Sequence, residues 1–353
     1  MTVKVQASSL QNAIASIFVA AGCSNSEAEC ISRHLVSANV CGHDSHGVLR
    51  VPRYVGYITE GQVVPNTELK VVLETDTLLV IDAGAGFGQP ICEAVVERVA
   101  EKAKAAGVAI AAVRHLGHVG RLGDWAELLA ERGLISLQFL NSMGTGMRGV
   151  PFGGSDRRLS PCPLAICVPR KDGPPVLVDI TTTTVAEGKL AVARAKGQSV
   201  PEGWIVDKDG KPTTDPNDFY AGGALLPMAG HKGSGLNIVT DLLAGALSGG
   251  GCTRAGATEP LNNLLLIAID PEKFAETDTY LAEVSRFCEW VKGSPPVNSG
   301  SDVLLPGEIE AHTKASREND GIELDDTTWA DIIATANRVG VPTEVFERLA
   351  RAA

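Results

Sequence analysis

Residues 108–127 read V-A-I-A-A-V-R-H-L-G-H-V-G-R-L-G-D-W-A-E, and this stretch carries the strongest indication of the fold. The apolar run 108–113 predicts a strand, and the spacing of apolar residues from 121 to about 132 predicts a helix. Strands that lead into helices through glycine-rich loops are typical of α/β proteins, which bind ligands at the carboxyl ends of strands. The stretch therefore predicts an α/β domain with a ligand site near 114–123.

Strands and helices alternate on both sides of this stretch. The further strands that we predict are 69–74, 77–82, 135–140, 164–168, 176–180, 263–269 and 302–305. The further helices are 8–22, 26 to about 40, 46–59, 90–106, 183–196, 233–247 and 275–292, with more helix after 305. The pattern predicts a mixed or parallel sheet bracketed by helical ends that pack together as one cap. We expect three parts: an N-terminal helical segment 1–75, an α/β domain 76–300 and a C-terminal helical segment 301–353.

Composition limits the classes of partner. A net charge of −11 without clustered Lys and Arg argues against nucleic acid. The sequence contains no apolar run of about 18 residues, the length that a membrane helix needs. The eight cysteines are scattered without a C-x-x-C pair, which favours reduced, buried thiols and a cytoplasmic protein.

One short segment concentrates side chains that can bind an anion and move a proton: His43, Asp44, Ser45, His46 and Arg50. On a helix starting near His46, Arg50 lies one turn away on the same face. A guanidinium that grips a carboxylate would then bring the imidazole close to the neighbouring 2-oxo oxygen. Two other interpretations stay open: a capped helix end with surface side chains, and a metal site of a hydrolase or lyase.

Two other loops suit phosphate groups. In R-H-L-G-H-V-G-R-L-G at 114–123, His118 is a candidate acid or base, and the N–H groups of 120–122 could hold a diphosphate. In A-G-H-K-G-S-G-L at 229–236, His231 and Lys232 open an apolar helix from a glycine-flanked turn. The glycines of L-L-V-I-D-A-G-A-G-F-G-Q-P at 78–90 only partly match a dinucleotide fingerprint, so we interpret them as a turn.

Several ordered motifs together carry a family resemblance. They are G-H-D-S-H-G at 42–47 with Arg50 and P-R-Y-V at 52–55, F-G-Q at 87–89, V-R-H-L-G-H-V-G-R-L-G-D-W-A-E at 113–127, P-C-P-L-A-I at 161–166, V-D-I-T-T-T-T-V-A-E-G-K at 178–189, G-H-K-G at 230–233 and P-G-E at 306–308. The chain resembles the malate/L-lactate dehydrogenase family of the second type, closest to its hydroxycarboxylate dehydrogenase branch. This resemblance implies an L-sulfolactate dehydrogenase-like α/β fold with a central mixed sheet, a non-Rossmann NAD(P)-binding domain and a homodimer.

The resemblance also implies roles for individual residues. His46 and Ser45 fall in the catalytic cluster, and Arg50 grips the substrate carboxylate. His118 matches the histidine that is assigned as proton acceptor in some relatives. Contacts to NAD or NADP fall on His46, Gly120, Arg121, Leu122, Asp179, Ile180, Thr181, His231, Lys232, Asn262, Gly307 and Glu308. No metal is expected. Of the two histidines we favour His46, assisted by Ser45, as the group that exchanges the proton, with His118 as its rival.

The expected activity is hydride transfer between nicotinamide and C2 of a small 2-hydroxy or 2-oxo acid such as malate or lactate. Alternatives are a reductase of cyclic imino acids, a metal-dependent hydrolase or lyase, and a relative that binds a nucleotide without catalysis. The last is considered because Ser160-Pro161-Cys162-Pro163 and Thr181-Thr182-Thr183 replace the G-T-N-P and A-T-S that are usual in the family.

Overall fold

The computed structural model describes residues 2–143, 146–298 and 300–351. Its strands are β1 Thr2–Val5, β2 Lys70–Glu74, β3 Leu78–Asp82, β4 Val108–Leu116, β5 Ile135–Ser142, β6 Pro163–Val168, β7 Val176–Thr181, β8 Ile205–Val206, β9 Pro212–Thr213, β10 Ala224–Leu225, β11 Asn262–Ile269 and β12 Ile322–Asp325. Its α-helices are α1 Ala7–Ala20, α2 Asn25–Val40, α3 Val51–Thr59, α4 Gly88–Ala106, α5 Leu122–Ala130, α6 Glu187–Ala195, α7 Pro216–Tyr220, α8 His231–Asp241, α9 Thr277–Lys292, α10 Glu308–Asp320, α11 Asp326–Arg338 and α12 Thr343–Arg351.

A seven-stranded sheet forms the centre of the molecule, in the order β2-β3-β4-β11-β5-β6-β7. The β3–β4 pair is parallel, and the other neighbours in this sheet are antiparallel. Helices α4 and α5 cover one face through fully buried side chains such as Val95, Trp125 and Leu129. The prediction of an α/β fold with a central mixed sheet is therefore confirmed.

The two ends of the chain share a second hydrophobic core. β1 pairs antiparallel with β12, and α1 packs against both α2 and α12. Phe18 and Phe346, from opposite ends of the sequence, are both fully buried in this core. The predicted cap built from both termini is confirmed, although β1 and β12 were not predicted. The part boundaries at residues 75 and 300 stay predictions; β2 already belongs to the central sheet.

The predicted helix 46–59 is wrong in its first turn. Residues Asp44–His46 and Val48–Arg50 form two separate 3-10 turns, and α3 begins only at Val51. Between them Gly47 is extended, because Asn39 Oδ1 accepts the N–H of Val48 at 2.8 Å. A Cβ at Gly47 would lie 2.1 Å from the same oxygen, so only glycine fits. The sequence predicted that His46 and Arg50 lie on the same face of one helix. The structure shows that they do not.

Two other elements differ from prediction. Residues 302–305 form no strand; the Leu305 N–H instead donates to the Glu308 carboxylate at 2.9 Å, next to the start of α10. The helix predicted at 233–247 begins earlier, at His231, and changes after Asp241 into a π-helical turn over Leu242–Ala246.

Candidate active site

The two candidate histidines come from different parts of the sequence and meet in the fold. His46 lies in the 3-10 turn that follows α2, and His118 lies in the loop between β4 and α5. Their rings stack with centroids 5.6 Å apart and planes inclined by 19°. Both side chains are partly exposed, so a ligand can reach them. The structure thus brings together the two loops that sequence analysis singled out separately.

Arg50 and Ser45 complete the group around His46. Ser45 Oγ lies 3.0 Å from His46 Nδ1, and Arg50 Nε donates to the main-chain oxygen of Ser45 at 2.6 Å. Among the described residues, no carboxylate or other acceptor engages the terminal nitrogens of Arg50, and burial lowers the pKa of its guanidinium. A largely buried cation without a counter-charge is costly unless an anion binds to it. The geometry therefore supports an anion site at Arg50.

The same environment keeps both histidines uncharged. Burial first, and the charge of Arg50 second, lower the pKa of His46 to about 3. The pKa of His118 is also well below its usual range, again because of burial first and Arg50 second. An anion bound to Arg50 would cancel the repulsion that disfavours an imidazolium. Ligand binding and protonation are thus linked at this site.

A buried hydrogen-bond chain holds the His118 ring. The Tyr54 hydroxyl lies 2.7 Å from His118 Nδ1, and the Gly120 N–H donates to the same nitrogen at 3.2 Å. Gln89 Nε2 in turn donates to the Tyr54 oxygen at 3.1 Å. Sequence reasoning assigned no role to Tyr54 or Gln89. The one indication in the sequence was that each lies inside a motif that carries the family resemblance: Tyr54 in P-R-Y-V and Gln89 in F-G-Q.

Close backbone packing positions the His118 loop. At the start of α4, a Cβ on Gly88 would meet the oxygens of Gly117 and His118 at 2.6 and 2.7 Å. Asn262, predicted to contact the cofactor, is buried, and its Oδ1 accepts the N–H of Val119 at 3.3 Å. The structure thus shows Asn262 holding the loop, and a direct cofactor contact stays a prediction.

The start of α5 already faces a carboxylate. Asp179 Oδ2 accepts the N–H of Gly123 at 2.8 Å, and burial raises the pKa of Asp179. The Arg121 side chain is fully buried and bonds Asp124 and Glu127. A diphosphate at this helix end would meet the Asp179 charge, whereas sugar hydroxyls would find an acceptor there. This arrangement weakens the diphosphate interpretation of Gly120–Leu122 and favours hydroxyl binding at Asp179.

The other predicted cofactor residues lie in three places. Ile180 and Thr181 end the edge strand β7, and His231 and Lys232 are exposed in the first turn of α8. Gly307 lines a cleft of about 300 Å³ beside α10, together with Arg170, which was not among the predicted contacts.

Glu308 and Arg170 differ in how fully the protein satisfies them. Glu308 is buried and bonds Lys292 at 2.7 Å, so its carboxylate is already paired. Arg170 Nε, by contrast, is buried and has no partner among the described residues. The terminal Nη2 of Arg170 lies 3.8 Å from the Glu308 carboxylate, so the protein itself provides a charge partner for this side chain.

The side chains of the proposed metal site point to separate partners. His43 Nε2 lies 3.3 Å from Glu310, and Asp44 bonds Arg317 at 2.7 Å. In the described ranges, the group of potential metal ligands close enough to share an ion is Cys30, His34 and Glu93. That group is a different one, so the metal-hydrolase interpretation of the 43–46 segment receives no support.

The departures from the family motifs are buried or half-buried. Ser160 and Cys162 are fully inaccessible, and Ser160 Oγ accepts from Thr253 at 3.2 Å. Asn237 donates to both the Ser160 oxygen and Thr182 Oγ1, at 2.7 and 2.6 Å. These residues form an internal polar network, so the substitutions change buried hydrogen bonds.

Comparison with known proteins agrees with this geometry. Residues 5–333 match the family model described as malate/L-lactate dehydrogenase. The chain belongs to the malate/L-lactate dehydrogenase family. It is 37% identical over 351 residues to hydroxycarboxylate dehydrogenase B of Escherichia coli O157:H7, covering 98% of this chain and 96% of that protein.

Solved structures of other malate/L-lactate dehydrogenase family relatives share the fold. The sulfolactate dehydrogenase of Methanocaldococcus jannaschii superimposes with a TM-score of 0.89 at 30% identity, covering 97% of this chain and 99% of that one. The Δ1-piperideine-2-carboxylate reductase of Pseudomonas syringae gives 0.86 at 31% identity, covering 95% and 100%.

Family membership makes the chain an oxidoreductase, and the family consists of NAD(P)-dependent dehydrogenases. The alternative of a metal-dependent hydrolase or lyase is therefore dropped. The exposed Lys232 at the start of α8 fits the phosphate groups of a dinucleotide, and the Asp179 carboxylate fits its sugar hydroxyls. Within the described ranges, no helix is both long and apolar enough to cross a membrane.

Proposed function

We propose that this chain interconverts small 2-oxo acids and 2-hydroxy acids, using NAD(H) or NADP(H). The observation that carries the proposal is the largely buried Arg50 guanidinium without a carboxylate partner, beside two neutral histidines. Its two terminal nitrogens match a carboxylate in bidentate geometry. A carboxylic acid held there would bring its C2 oxygen near the imidazoles.

The proposed chemistry divides between cofactor and protein. When bound, the nicotinamide cofactor supplies or accepts a hydride. Arg50 binds the carboxylate, and His46 exchanges a proton with the C2 oxygen. Ser45 orients His46 through the 3.0 Å contact at Nδ1. The bound carboxylate offsets the charge of Arg50, which is the second cause of the lowered pKa of His46, and so raises that pKa toward its ordinary value.

We propose that the cofactor extends from the histidines toward two regions. His231 and Lys232 suit phosphate, because an exposed lysine adds to the positive end of α8. Asp179 suits sugar hydroxyls, and Gly307 with Arg170 suits the remaining polar groups in the cleft. Gly120, Arg121, Leu122, Ile180, Thr181, Asn262 and Glu308 stay predictions as cofactor contacts.

A cyclic imino acid is the second candidate substrate. The observation in its favour is the similarity to the P. syringae reductase, 31% identical over nearly the whole chain. Arg50 would hold the same carboxylate, and the histidines would face an imine nitrogen in place of an oxygen. Both candidates need a 2-carboxylate, so Arg50 has the same role in each.

A substrate screen tests the proposed function. The purified protein is mixed with NADH or NADPH and a panel of 2-oxo acids and cyclic imino acids, and the loss of absorbance at 340 nm is followed. We expect turnover of at least one 2-oxo acid. No oxidation of either cofactor with any acid would leave binding without catalysis and contradict the proposal.

We also propose a homodimer in the cytoplasm. The helix α8 and the turn after it expose Ile238, Val239, Leu242 and Leu247, each between 44% and 62% accessible. Adjacent exposed aliphatic side chains on one element favour a protein contact, and a second copy is the partner that the family resemblance implies. The eight cysteines are all unpaired, and seven are buried, which favours a reducing compartment.

A further inference from the structure

We propose that Tyr54 is a positioning residue: it holds His118 in the neutral Nε2–H tautomer, so that His118 donates a hydrogen bond to the C2 oxygen while His46 exchanges the proton. This inference rests on the proposed function for its catalytic meaning. Its structural part, the tautomer of the His118 ring, can be measured without any substrate.

The first step is the direction of the hydrogen bonds at Nδ1. The main-chain N–H of Gly120 lies 3.2 Å from His118 Nδ1 and can only donate. Nδ1 must therefore offer its lone pair. In a neutral ring the proton then belongs to Nε2.

The second step is the direction of the Tyr54 hydroxyl. Gln89 Nε2 donates to the Tyr54 oxygen at 3.1 Å, so the hydroxyl proton of Tyr54 is left to donate. Its acceptors are His118 Nδ1 at 2.7 Å and the His118 main-chain oxygen at 3.4 Å, and the much shorter contact favours Nδ1. Tyr54 and Gln89 are 2% and 0% exposed, so water does not compete for these groups. The hydrogen bonds therefore run in one direction, with Gln89 donating to Tyr54 and Tyr54 donating to His118.

The third step is the charge around the ring. The groups that act on His118 electrostatically are Arg50, Arg53 and His46, and each disfavours a positive ring. Tyr54, which contacts Nδ1, is itself kept protonated, because burial raises its pKa to about 12. None of these four groups is a carboxylate. The ring therefore stays neutral, with Nδ1 occupied as an acceptor.

These steps separate the roles of the two histidines. Loss of the Nε2 proton from His118 would leave an imidazolate unless Tyr54 passed its own proton to Nδ1. Because burial raises the pKa of Tyr54 to about 12, that transfer is unfavourable, and His118 polarises the C2 oxygen as a neutral donor. No hydrogen bond among the described residues uses its Nε2. His46 is different, because its Nδ1 faces the Ser45 hydroxyl, which rotates to donate or accept. His46 can therefore change protonation state during turnover.

Nitrogen-15 NMR of histidine-labelled protein tests the tautomer directly. We expect one ring, assigned by its loss in His118→Gln, with a protonated-type Nε2 shift and an unprotonated-type Nδ1 shift from mildly acidic to mildly alkaline pH. A protonated Nδ1 near neutral pH would overturn the inference. Because no substrate is present, this result is independent of whether the proposed activity is found.

The Tyr54→Phe variant tests the role of the hydroxyl. We expect its Nδ1 shift to move and its His118 titration to shift to higher pH, because a donor that stabilised the neutral ring is lost. We also expect kcat to fall about tenfold with little change in KM, the effect of one hydrogen bond that matters in the transition state. Unchanged nitrogen shifts together with unchanged kcat would contradict a positioning role.

The matched control is Tyr57→Phe, one turn further along α3. It removes the same hydroxyl from a residue outside the hydrogen-bond chain, so we expect wild-type spectra and kinetics. Thermal unfolding of each variant shows whether it is folded. Should Tyr54→Phe fail to fold, the wild-type spectrum alone still decides the tautomer.

Discussion

Arg50 shows most clearly how one residue can define a substrate class. Its guanidinium is largely buried, its Nε is used by the Ser45 carbonyl, and its other nitrogens have no partner in the described chain. A protein keeps such a group where a ligand supplies the missing charge. This residue favours a carboxylate substrate whatever the rest of the substrate contains.

Replacing Arg50 by Lys tests that role while the charge is kept. Lysine cannot form the planar, two-point contact with a carboxylate, so we expect kcat/KM for the best 2-oxo acid to fall on the order of 10²-fold or more. Steady-state kinetics with 2-oxo acids measures the effect. Equal kcat/KM in Arg50→Lys and the wild type would remove Arg50 from substrate binding.

His46 makes folding stability depend on pH. Its pKa is about 3 in the folded protein and near the ordinary 6.5 when unfolded, so the unfolded chain binds the extra proton between these values. The neutral folded form is therefore fully stable above about pH 6.5 and loses stability as the pH falls toward 3.

The His46→Gln variant removes this titration. We expect its loss of unfolding free energy between about pH 7 and 5 to be smaller than that of the wild type by about 1–2 kcal/mol. Urea unfolding at the two pH values measures it. The same pH dependence in both proteins would contradict a strongly lowered pKa at His46.

At the scale of elements, the junction between α4 and the His118 loop depends on glycine. The Cβ of an alanine at Gly88 would lie 2.6–2.7 Å from main-chain atoms of residues 117–119, which cannot rotate away. We expect Gly88→Ala to lower the unfolding free energy by about 1–3 kcal/mol and to reduce kcat strongly by displacing His118. Thermal unfolding and steady-state kinetics measure the two effects.

Gly56→Ala is the matched control for Gly88→Ala. Gly56 lies inside α3, and an added Cβ would meet nothing within 4 Å. We expect a gain of up to about 1 kcal/mol from the better helix propensity, with activity retained. If Gly88→Ala behaved like Gly56→Ala, the close packing at the His118 loop would not be what positions it.

Elements were predictable from the sequence where local patterns decide them. The runs at 108–113 and 263–269 predict β4 and β11 because apolar residues are continuous there. The break at Gly47 was not predictable, because its cause is the side chain of Asn39 from another element. Likewise Tyr54 and Gln89 reach His118 only through the tertiary fold, which a single sequence does not show.

At the scale of the whole molecule, the proposed homodimer depends on the exposed apolar side chains of α8 and of the turn after it. Leu242 and Leu247 are 52% and 62% exposed. We expect the doubly substituted Leu242→Glu, Leu247→Glu protein to sediment as a monomer and the wild type as a dimer, since two buried charges oppose association. Analytical ultracentrifugation measures the masses.

Phe274→Glu serves as the control for this assembly prediction. Phe274 is 74% exposed and lies outside α8 and its following turn, so we expect the substituted protein to remain a dimer. A monomeric wild type, or dimers of unchanged stability in the doubly substituted protein, would contradict the proposed interface.

The order of strands in the central sheet also constrains how the protein is made. β11 lies between β4 and β5, yet it is synthesised only after the whole segment 143–261. At roughly 5–20 residues per second, that segment occupies the ribosome for about 6–24 seconds. During this interval the facing edges of β4 and β5 have no strand between them. Until β11 is made, the edges of β4 and β5 that it later joins present unpaired main-chain N–H and C=O groups on the emerging chain.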